Sequence, residues 1–242
     1  MKKDIWNGFD RIEFEFQDRE AILVFPKEEN KTDKWLFKTE YFGAFPDMEV
    51  EMLKKGWHLA FIANKTRWCH EEDLDIKKDF ADFLSKEYGL SEKCVPVGMS
   101  CGGMIAVKFA AKYPKYISCL YLDAPVMNLL SCPCGIGEAG DTLHSEFVKA
   151  TGMTIADLIN YREHPVDKIS QLLAADIPVV MVYGDSDTVV PYKENGIVLE
   201  KYYKSNHGKI LTIGKSGCGH HPHGLDNPAP IIEFILNCLK EK

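Results

Sequence analysis

The 242-residue sequence lacks an excess of basic residues and lacks any long apolar run. Its 29 Lys and Arg residues are outnumbered by 36 Asp and Glu residues, which gives a formal net charge of −7. Sequence-independent binding to nucleic acid depends on clustered Lys and Arg facing the phosphates, so we expect no nucleic-acid partner. No window approaches the roughly 18 consecutive apolar residues of a membrane-spanning helix, so we also expect no membrane association.

A recognisable secretory leader is also lacking at the start of the sequence. The first residues are basic, but no apolar stretch follows them, as it would in a signal peptide. The eight cysteines are scattered through a chain too long to need a disulfide framework. We therefore expect a cytoplasmic protein with reduced thiols, and export only if a leader was removed before residue 1.

What is present is an ordinary globular composition, with 45% hydrophobic and 11% aromatic residues. Apolar runs bounded by turn residues alternate with helical patterns, which predicts an α/β protein. We expect one domain over residues 1–242, with a mostly parallel sheet of about eight strands flanked by helices. A short cap-like insertion is expected at about residues 127–164. The predicted strands are 11–16, 21–25, 35–42, 57–63, 94–97, 116–122, 179–183 and 209–213.

The motif Gly98-x-Ser100-x-Gly102 lies between an apolar strand and an apolar helix. A nucleophile elbow occurs in this context. Its turn is so tight that the residues two positions before and two positions after the nucleophile must lack side chains. Ser100 would then stand at the N-terminus of the following helix, where the helix dipole favours a developing anion. The backbone N–H of Cys101 is the predicted first donor of an oxyanion hole.

A serine nucleophile needs a base, and the base needs a carboxylate to orient it. The loop after the apolar strand 179–183 contains Asp185 and Asp187, at the sheet edge where open α/β sheets bind ligands. We favour Asp187 as the triad acid and interpret Asp185 as a turn residue. Asp123, at the end of another strand, is a further alternative.

The base is expected in the histidine-rich segment after the last strand, and His220 is the preferred candidate, with His221 as the alternative. Zinc binds nitrogen and sulfur ligands, and a zinc site could be assembled on paper from this segment and nearby thiols. The candidate ligands are the imidazoles of His220, His221 and His223 and the thiols of Cys132, Cys134 and Cys218. Their spacing is not that of a zinc finger, so we expect no metal.

These residues together resemble the α/β-hydrolase superfamily over nearly the whole chain. More narrowly, the sequence is similar to bacterial predicted esterases and peptidase-like serine hydrolases. That narrower likeness is in the motifs 6–9 (Trp-Asn-Gly-Phe), 40–43 (Glu-Tyr-Phe-Gly) and 219–223 (Gly-His-His-Pro-His). The resemblance implies that a second oxyanion donor comes from the loop after the third strand, at Gly43, Phe42 or a neighbour. Two departures are Cys101, where relatives commonly have arginine, and Lys38 as the basic residue of the third strand.

The resemblance implies a serine hydrolase that needs no cofactor and acts through Ser100, His220 and Asp187. We expect a carboxylic ester as the small-molecule substrate, with a small or carbohydrate-linked acyl group, because the insertion is too short and polar for a lipase lid. A peptidase, a catalytically silent binding protein and a metal-dependent hydrolase are the alternatives, and a homodimer is possible. Phe42, Trp68 and Tyr192 are aromatic candidates for substrate contacts, although core packing is the favoured interpretation of Trp68 and Tyr192. Arg67, Arg162 and Lys38 are the basic candidates for contact with an acidic group, with a solvated role as the favoured alternative.

Overall fold

Short apolar strands with side chains alternating between two faces form the centre of the molecule. The computed structural model describes residues 1–240, in which nine strands make one sheet. The strands are β1 Lys2–Trp6, β2 Phe9–Phe16, β3 Arg19–Val24, β4 Trp35–Lys38, β5 His58–Ile62, β6 Val95–Met99, β7 Leu120–Asp123, β8 Val179–Gly184 and β9 Ile210–Lys215. The helices are α1 Asp47–Lys54, α2 Glu71–Tyr88, α3 Cys101–Lys112, α4 His144–Thr151, α5 Ile155–Asn160, α6 Ile169–Ala174, α7 Gly196–Ser205 and α8 Ala229–Lys240.

The sheet has the strand order β1-β2-β3-β5-β4-β6-β7-β8-β9. The pairs β1–β2, β2–β3 and β3–β5 are antiparallel, and all pairs from β5 to β9 are parallel. The prediction of a mostly parallel α/β-hydrolase sheet flanked by helices is confirmed. The strand missed in the sequence is β1, whose polar, largely exposed residues give no apolar run.

Alternation along each strand divides the core between the two faces of the sheet. On β3, Leu23 packs into the cluster that contains the apolar faces of α2 and α3. Its neighbour Val24 packs with residues of α1 and α8 on the other face. Parallel strands covered on both faces by helices place all their carboxyl ends at one edge, where ligands bind in such sheets.

The predicted strand boundaries at residues 42 and 116 were each wrong by four residues. The strand predicted over 35–42 ends at Lys38, and the chain then turns, with Tyr41 and Phe45 at positive φ. The strand predicted over 116–122 begins at Leu120, because Pro114–Tyr116 form a short 3-10 helix before it. Helix α2 begins at Glu71, where the Asp73 carboxylate accepts a hydrogen bond from the His70 N–H. Because β4 ends at Lys38, residues 39–45 form a loop that lies beside the turn at 98–102, where the Thr39 hydroxyl donates to the Gly102 carbonyl.

The segment between β7 and α6 holds the short helices α4 and α5, in the region predicted as an insertion. Its start is fixed by Asn195, whose buried side-chain oxygen accepts the N–H groups of Met127 and Asn128 at 2.9 and 3.0 Å. Its middle is fixed by Arg67, which forms a bidentate ion pair with Glu146 of α4. Within residues 1–240, no helix is both long and apolar enough to cross a lipid bilayer.

Candidate active site

The turn between β6 and α3 holds Ser100 in a strained backbone conformation, with φ 53° and ψ −119°. A Cβ atom added at Gly98 would lie 2.4 Å from the carbonyl oxygen of Gly102, so the turn cannot close around a side chain there. Ser100 is held from both sides, because its N–H donates to the Asp123 carbonyl (2.9 Å) and its own carbonyl accepts the Val126 N–H (3.1 Å). The predicted elbow residues therefore have the steep turn that their glycines require.

A continuous hydrogen-bond chain connects the three residues predicted as a triad. The Ser100 hydroxyl lies 3.0 Å from Nε2 of His220, and Nδ1 of His220 lies 2.7 Å from Oδ2 of Asp187. With the proton on Nδ1, the imidazole donates to the carboxylate and keeps a lone pair facing the hydroxyl. Ser100, His220 and Asp187 come from three distant chain segments, and the fold brings them together at the carboxyl edge of the sheet.

Asp187 is further oriented by its own loop. Its second oxygen, Oδ1, accepts the N–H groups of Val189 and Val190, both at 2.8 Å. Burial would raise the pKa of Asp187, but the hydrogen bonds from His220 and from these backbone groups outweigh it and lower the pKa below its ordinary value. The carboxylate is therefore ionised in the neutral range, and the side chain has no freedom to turn away from His220.

The two alternative acids have other partners. Asp185 accepts the Gly217 N–H (2.7 Å) and the Ser186 hydroxyl (3.0 Å), which fits the turn role predicted for it. Asp123 is buried and lies 2.7 Å from Nδ1 of His223. The site thus contains a second aspartate–histidine pair beside the first. From the sequence, Asp123 was an alternative only as a triad acid, and no partner was expected for His223.

His221, the alternative base, is the most exposed of the three neighbouring histidines, and it stacks on Phe45 with ring centroids 5.7 Å apart. Burial lowers its pKa, and the charges of His223 and His220 lower it further. No hydrogen bond to an aspartate orients it among the described residues. Its position favours a role in lining the site.

A cavity of about 430 Å³ opens above Ser100. Aromatic and aliphatic side chains share its wall with the three histidines and one arginine; the lining residues are Tyr41, Ala44, Phe45, Arg67, Met99, Ser100, Thr142, Leu143, Val189, His220, His221 and His223. Leu143 and Thr142 come from the insertion, which therefore forms part of the wall. A larger cleft of about 580 Å³ between α1 and α8 lies away from these residues.

The three aromatic residues predicted to contact substrate do not line this cavity. Trp68 is buried and donates from Nε1 to Glu146 (2.9 Å), because α4 covers the loop that carries it. Tyr192 stacks flat on Tyr183, and Phe42 packs between aromatic rings on the far side of its loop. Aromatic character alone did not indicate which of these rings faces the cavity.

The three basic candidates lie in different environments. Lys38 is 1% exposed and forms a buried ion pair with Glu49, so it cannot meet a substrate. Arg162 lies on the surface, where it donates to two carbonyls of its own segment. Arg67 does reach the cavity wall, but Glu146 neutralises its charge. Of the three basic candidates, only Arg67 is among the residues that line the cavity, and the exposed Arg162 fits the solvated role that was the alternative.

Cys101 is buried directly after Ser100, close to the Tyr41 side chain. Burial raises the pKa of Cys101 to about 11, so the thiol is protonated in the neutral range and a poor nucleophile. Cys101 begins α3, where helix N–H groups have no intrahelical acceptor. Gly43 is not among the residues that line the cavity, and Tyr41 and Ala44 line it instead. A Cβ atom added to Gly43 would lie 3.8 Å from Nε1 of Trp6.

Within the described residues 1–240, Cys132, Cys134 and Cys218, the thiols of the mixed zinc site considered from the sequence, form no disulfide. Cys218 points into its own loop, with the carbonyls of His221 and Pro222 as its nearest acceptors. In the described chain, the cluster suited to a metal ion contains His220, His221 and His223 and none of the cysteines. The mixed thiol and imidazole site considered from the sequence is therefore not assembled.

The chain matches a known protein family in sequence and several solved structures in fold. The model of the prolyl oligopeptidase family, Peptidase_S9, matches residues 55–242. That range includes all three residues of the hydrogen-bond chain. No curated protein sequence matches this chain significantly.

Solved structures of peptidases and esterases share the fold. Acylaminoacyl peptidase of Pyrococcus horikoshii is 16% identical with a TM-score of 0.69, and the match covers 88% of this chain and 37% of that one. Dipeptidyl peptidase 4 of Porphyromonas gingivalis is 13% identical (TM-score 0.71; 96% and 36% covered). A truncated carbohydrate esterase from gut microbiota is 12% identical (TM-score 0.70; 91% and 90% covered). The chain thus spans little more than a third of the two peptidases but nearly all of the esterase.

Proposed function

This chain belongs to the prolyl oligopeptidase family of α/β-hydrolase-fold serine hydrolases, and on that premise we propose that it cleaves a carboxylic ester with a small or carbohydrate-linked acyl group. The observation that carries the proposal is the unbroken hydrogen-bond chain from Ser100 through His220 to Asp187, at the floor of the cavity. Acyl transfer needs a nucleophile, a base and an orienting carboxylate in this arrangement.

In the proposed reaction, Nε2 of His220 takes the hydroxyl proton as Ser100 attacks the ester carbonyl. The carbonyl π pair moves to oxygen, and the negative charge of Asp187 stabilises the imidazolium that forms. Collapse of the tetrahedral species breaks the bond to the alcohol, which leaves with the proton from His220. Water, activated in turn by His220, then hydrolyses the acyl-enzyme and regenerates the Ser100 hydroxyl.

The oxyanion of the tetrahedral species needs donors fixed before the reaction. We assign one to the backbone N–H of Cys101, at the first turn of α3. For the second we replace the predicted Gly43 with Tyr41, which lines the cavity and whose N–H has only a long 3.4 Å contact with Glu40. The N–H of Ala44, the other candidate in this loop, already donates to the Tyr41 carbonyl at 3.0 Å.

The cavity wall favours an ester of a neutral acyl group. The residues that line it include no carboxylate, so nothing there matches the ammonium group of a free peptide N-terminus. The one cationic wall residue, Arg67, is paired with Glu146. Tyr41, Phe45 and Leu143 supply apolar surface of the extent a short acyl chain or a sugar face would cover. The fold shared with a carbohydrate esterase is compatible with the same choice.

A peptidase of the same fold is the second candidate. It is favoured by the family match itself and by the acylaminoacyl and dipeptidyl peptidases among the similar structures. The same Ser100, His220 and Asp187 would perform amide hydrolysis, with His220 protonating an amine instead of an alcohol. The relative rates of hydrolysis of esters and peptide anilides separate the two candidates.

The decisive experiment compares wild type and Ser100→Ala on p-nitrophenyl esters of increasing acyl length, acetylated sugars and blocked or free peptide anilides. We expect wild type to hydrolyse short esters and acetylated sugars, while Ser100→Ala retains its fold and loses turnover and labelling by a fluorophosphonate. Faster cleavage of the anilides would establish the peptidase instead. Undiminished turnover by Ser100→Ala, or no turnover by wild type on either class, would refute the assignment of Ser100.

A further inference from the structure

Three histidine rings pack edge to face at the floor of the cavity. The centroids of His220, His221 and His223 are 4.9 Å apart in each of the three pairs. One ring nitrogen from each lies within 4.8 Å of the others. All three residues line the cavity, so a small ion in solvent can reach them. The reaction described above uses only His220, which leaves the arrangement of the other two unexplained.

Two of the three rings are oriented by carboxylates. Asp187 holds Nδ1 of His220, and Asp123 holds Nδ1 of His223, each at 2.7 Å. Both interactions leave the lone pair of each ring on Nε2. In His220 this lone pair faces the Ser100 hydroxyl at 3.0 Å, and it would turn to the ion when zinc binds. Metal-binding histidines in proteins are typically oriented in this way, by a carboxylate on the nitrogen opposite the metal. The two buried carboxylates also place negative charge behind the rings, which favours a cation in front of them.

Asp123 is itself firmly held. Its Oδ2 accepts the Gly224 N–H at 2.7 Å and the Tyr121 hydroxyl at 3.3 Å, while Oδ1 contacts His223. The pair is buried, with His223 8% exposed and Asp123 2% exposed. His221 is exposed and stacked on Phe45, so its ring can move the short distance needed to complete a set of three nitrogen ligands.

We propose that His220, His221 and His223 form an inhibitory zinc site. Three imidazoles and an open fourth position are a known zinc ligand set, with zinc–nitrogen distances of about 2.0–2.1 Å. The rings must therefore close by roughly an ångström around the ion, and the exposed His221 can make most of that movement. Mg²⁺ and Ca²⁺ prefer oxygen ligands, so they should not compete.

Occupation of this site would stop the reaction without any covalent change. The lone pair on Nε2 of His220 that accepts the Ser100 proton would be used for coordination, so Ser100 could not be deprotonated by it. Removal of the ion restores the lone pair. The fold would thus respond to available zinc through the same imidazole that serves as base.

Isothermal titration of Zn²⁺ into tag-free protein tests this proposal without relying on hydrolysis. We expect one ion per chain, no heat with Mg²⁺, and at least about 10-fold weaker binding in His221→Ala. Asp123→Asn should weaken binding by about 10–100-fold through loss of ring orientation. His207→Ala, an exposed histidine outside the cluster, is the matched control and should bind zinc as wild type does.

Activity provides a second and separate measurement. Zn²⁺ should block fluorophosphonate labelling and ester turnover at the concentration where calorimetry shows binding, and EDTA should reverse both. Each variant is compared with its own rate in EDTA. Absence of binding, or equal affinity in wild type and His221→Ala, would overturn the proposal. Should Asp123→Asn fail to fold, the exposed His221 variant alone decides. Zinc binding without any hydrolysis would leave this site standing and refute the proposed function.

Discussion

Asp187→Asn is the change that tests the proposed mechanism most directly. In wild type, Oδ1 accepts two backbone N–H groups at 2.8 Å each, and Oδ2 accepts Nδ1 of His220 at 2.7 Å. An asparagine has one acceptor oxygen and one NH₂ donor. Its oxygen must stay on the two backbone donors, because turning it around would place NH₂ against both of them. The NH₂ group therefore faces His220.

The consequence is a change of imidazole tautomer. Nδ1 of His220 must now accept the amide proton, so Nε2 bears the hydrogen and can no longer take the Ser100 proton. The stabilising charge of Asp187 on the imidazolium is lost as well. A loss of about 10⁴-fold in kcat is expected from the wrong tautomer, which corresponds to about 5.5 kcal/mol of barrier. Because neither effect involves bound substrate, KM should change little.

The assay is steady-state hydrolysis of a short p-nitrophenyl ester, with far-UV circular dichroism to show that the variant is folded. Asp185→Asn is the matched control, since Asp185 lies in the same loop but contacts Gly217 and Ser186. It should retain kcat within a few fold. If Asp187→Asn kept a tenth of the wild-type rate, or if Asp185→Asn lost as much, the assignment of the triad acid would be refuted.

Two predictions concern the fold around the site. Gly98→Ala puts a Cβ 2.4 Å from the Gly102 carbonyl oxygen, so urea unfolding should show about 1–3 kcal/mol lower stability, with about 100-fold slower ester hydrolysis; wild-type values would contradict the elbow geometry. Burial lowers the pKa of His58 to about 4 in the folded protein, against 6.5 when exposed, so folding is favoured above pH 6.5 and weakens by about 3 kcal/mol as the pH falls to 4. His58→Gln should remove most of this decline, and an unchanged pH slope of the unfolding free energy would count against it.

Several features of the fold follow from local rules and could be predicted from the sequence. Alternating apolar runs predict strands whichever neighbours they later acquire, so eight of the nine strands were anticipated. The polar β1 was not, because it is stabilised by pairing with β2 and not by burial. The glycines at 98 and 102 indicate the elbow because only a residue without a side chain fits a turn this tight.

Other features depend on which surfaces meet, and only the tertiary structure decided them. The sequence already favoured Asp187 over Asp185 and His220 over His221, but the hydrogen bonds that join Ser100, His220 and Asp187 depend on three loops meeting at one sheet edge. Side-chain chemistry could not place Lys38, because its ion pair with Glu49 depends on how α1 packs. Nor could it place Trp68, which the insertion covers.

The sequence by itself therefore determined the fold class, the tight turn at 98–102 and the candidate nucleophile, base and acid, since these depend on backbone sterics and on residue chemistry along the chain. The tertiary structure alone decided the cavity wall, the pairing of Asp123 with His223, and the edge-to-face packing of three histidine rings. The cavity wall and the Asp123–His223 pair join segments about 100 residues apart, and the three rings depend on how the loop at 220–223 packs against the rest of the site. They are set by packing, which no local pattern encodes.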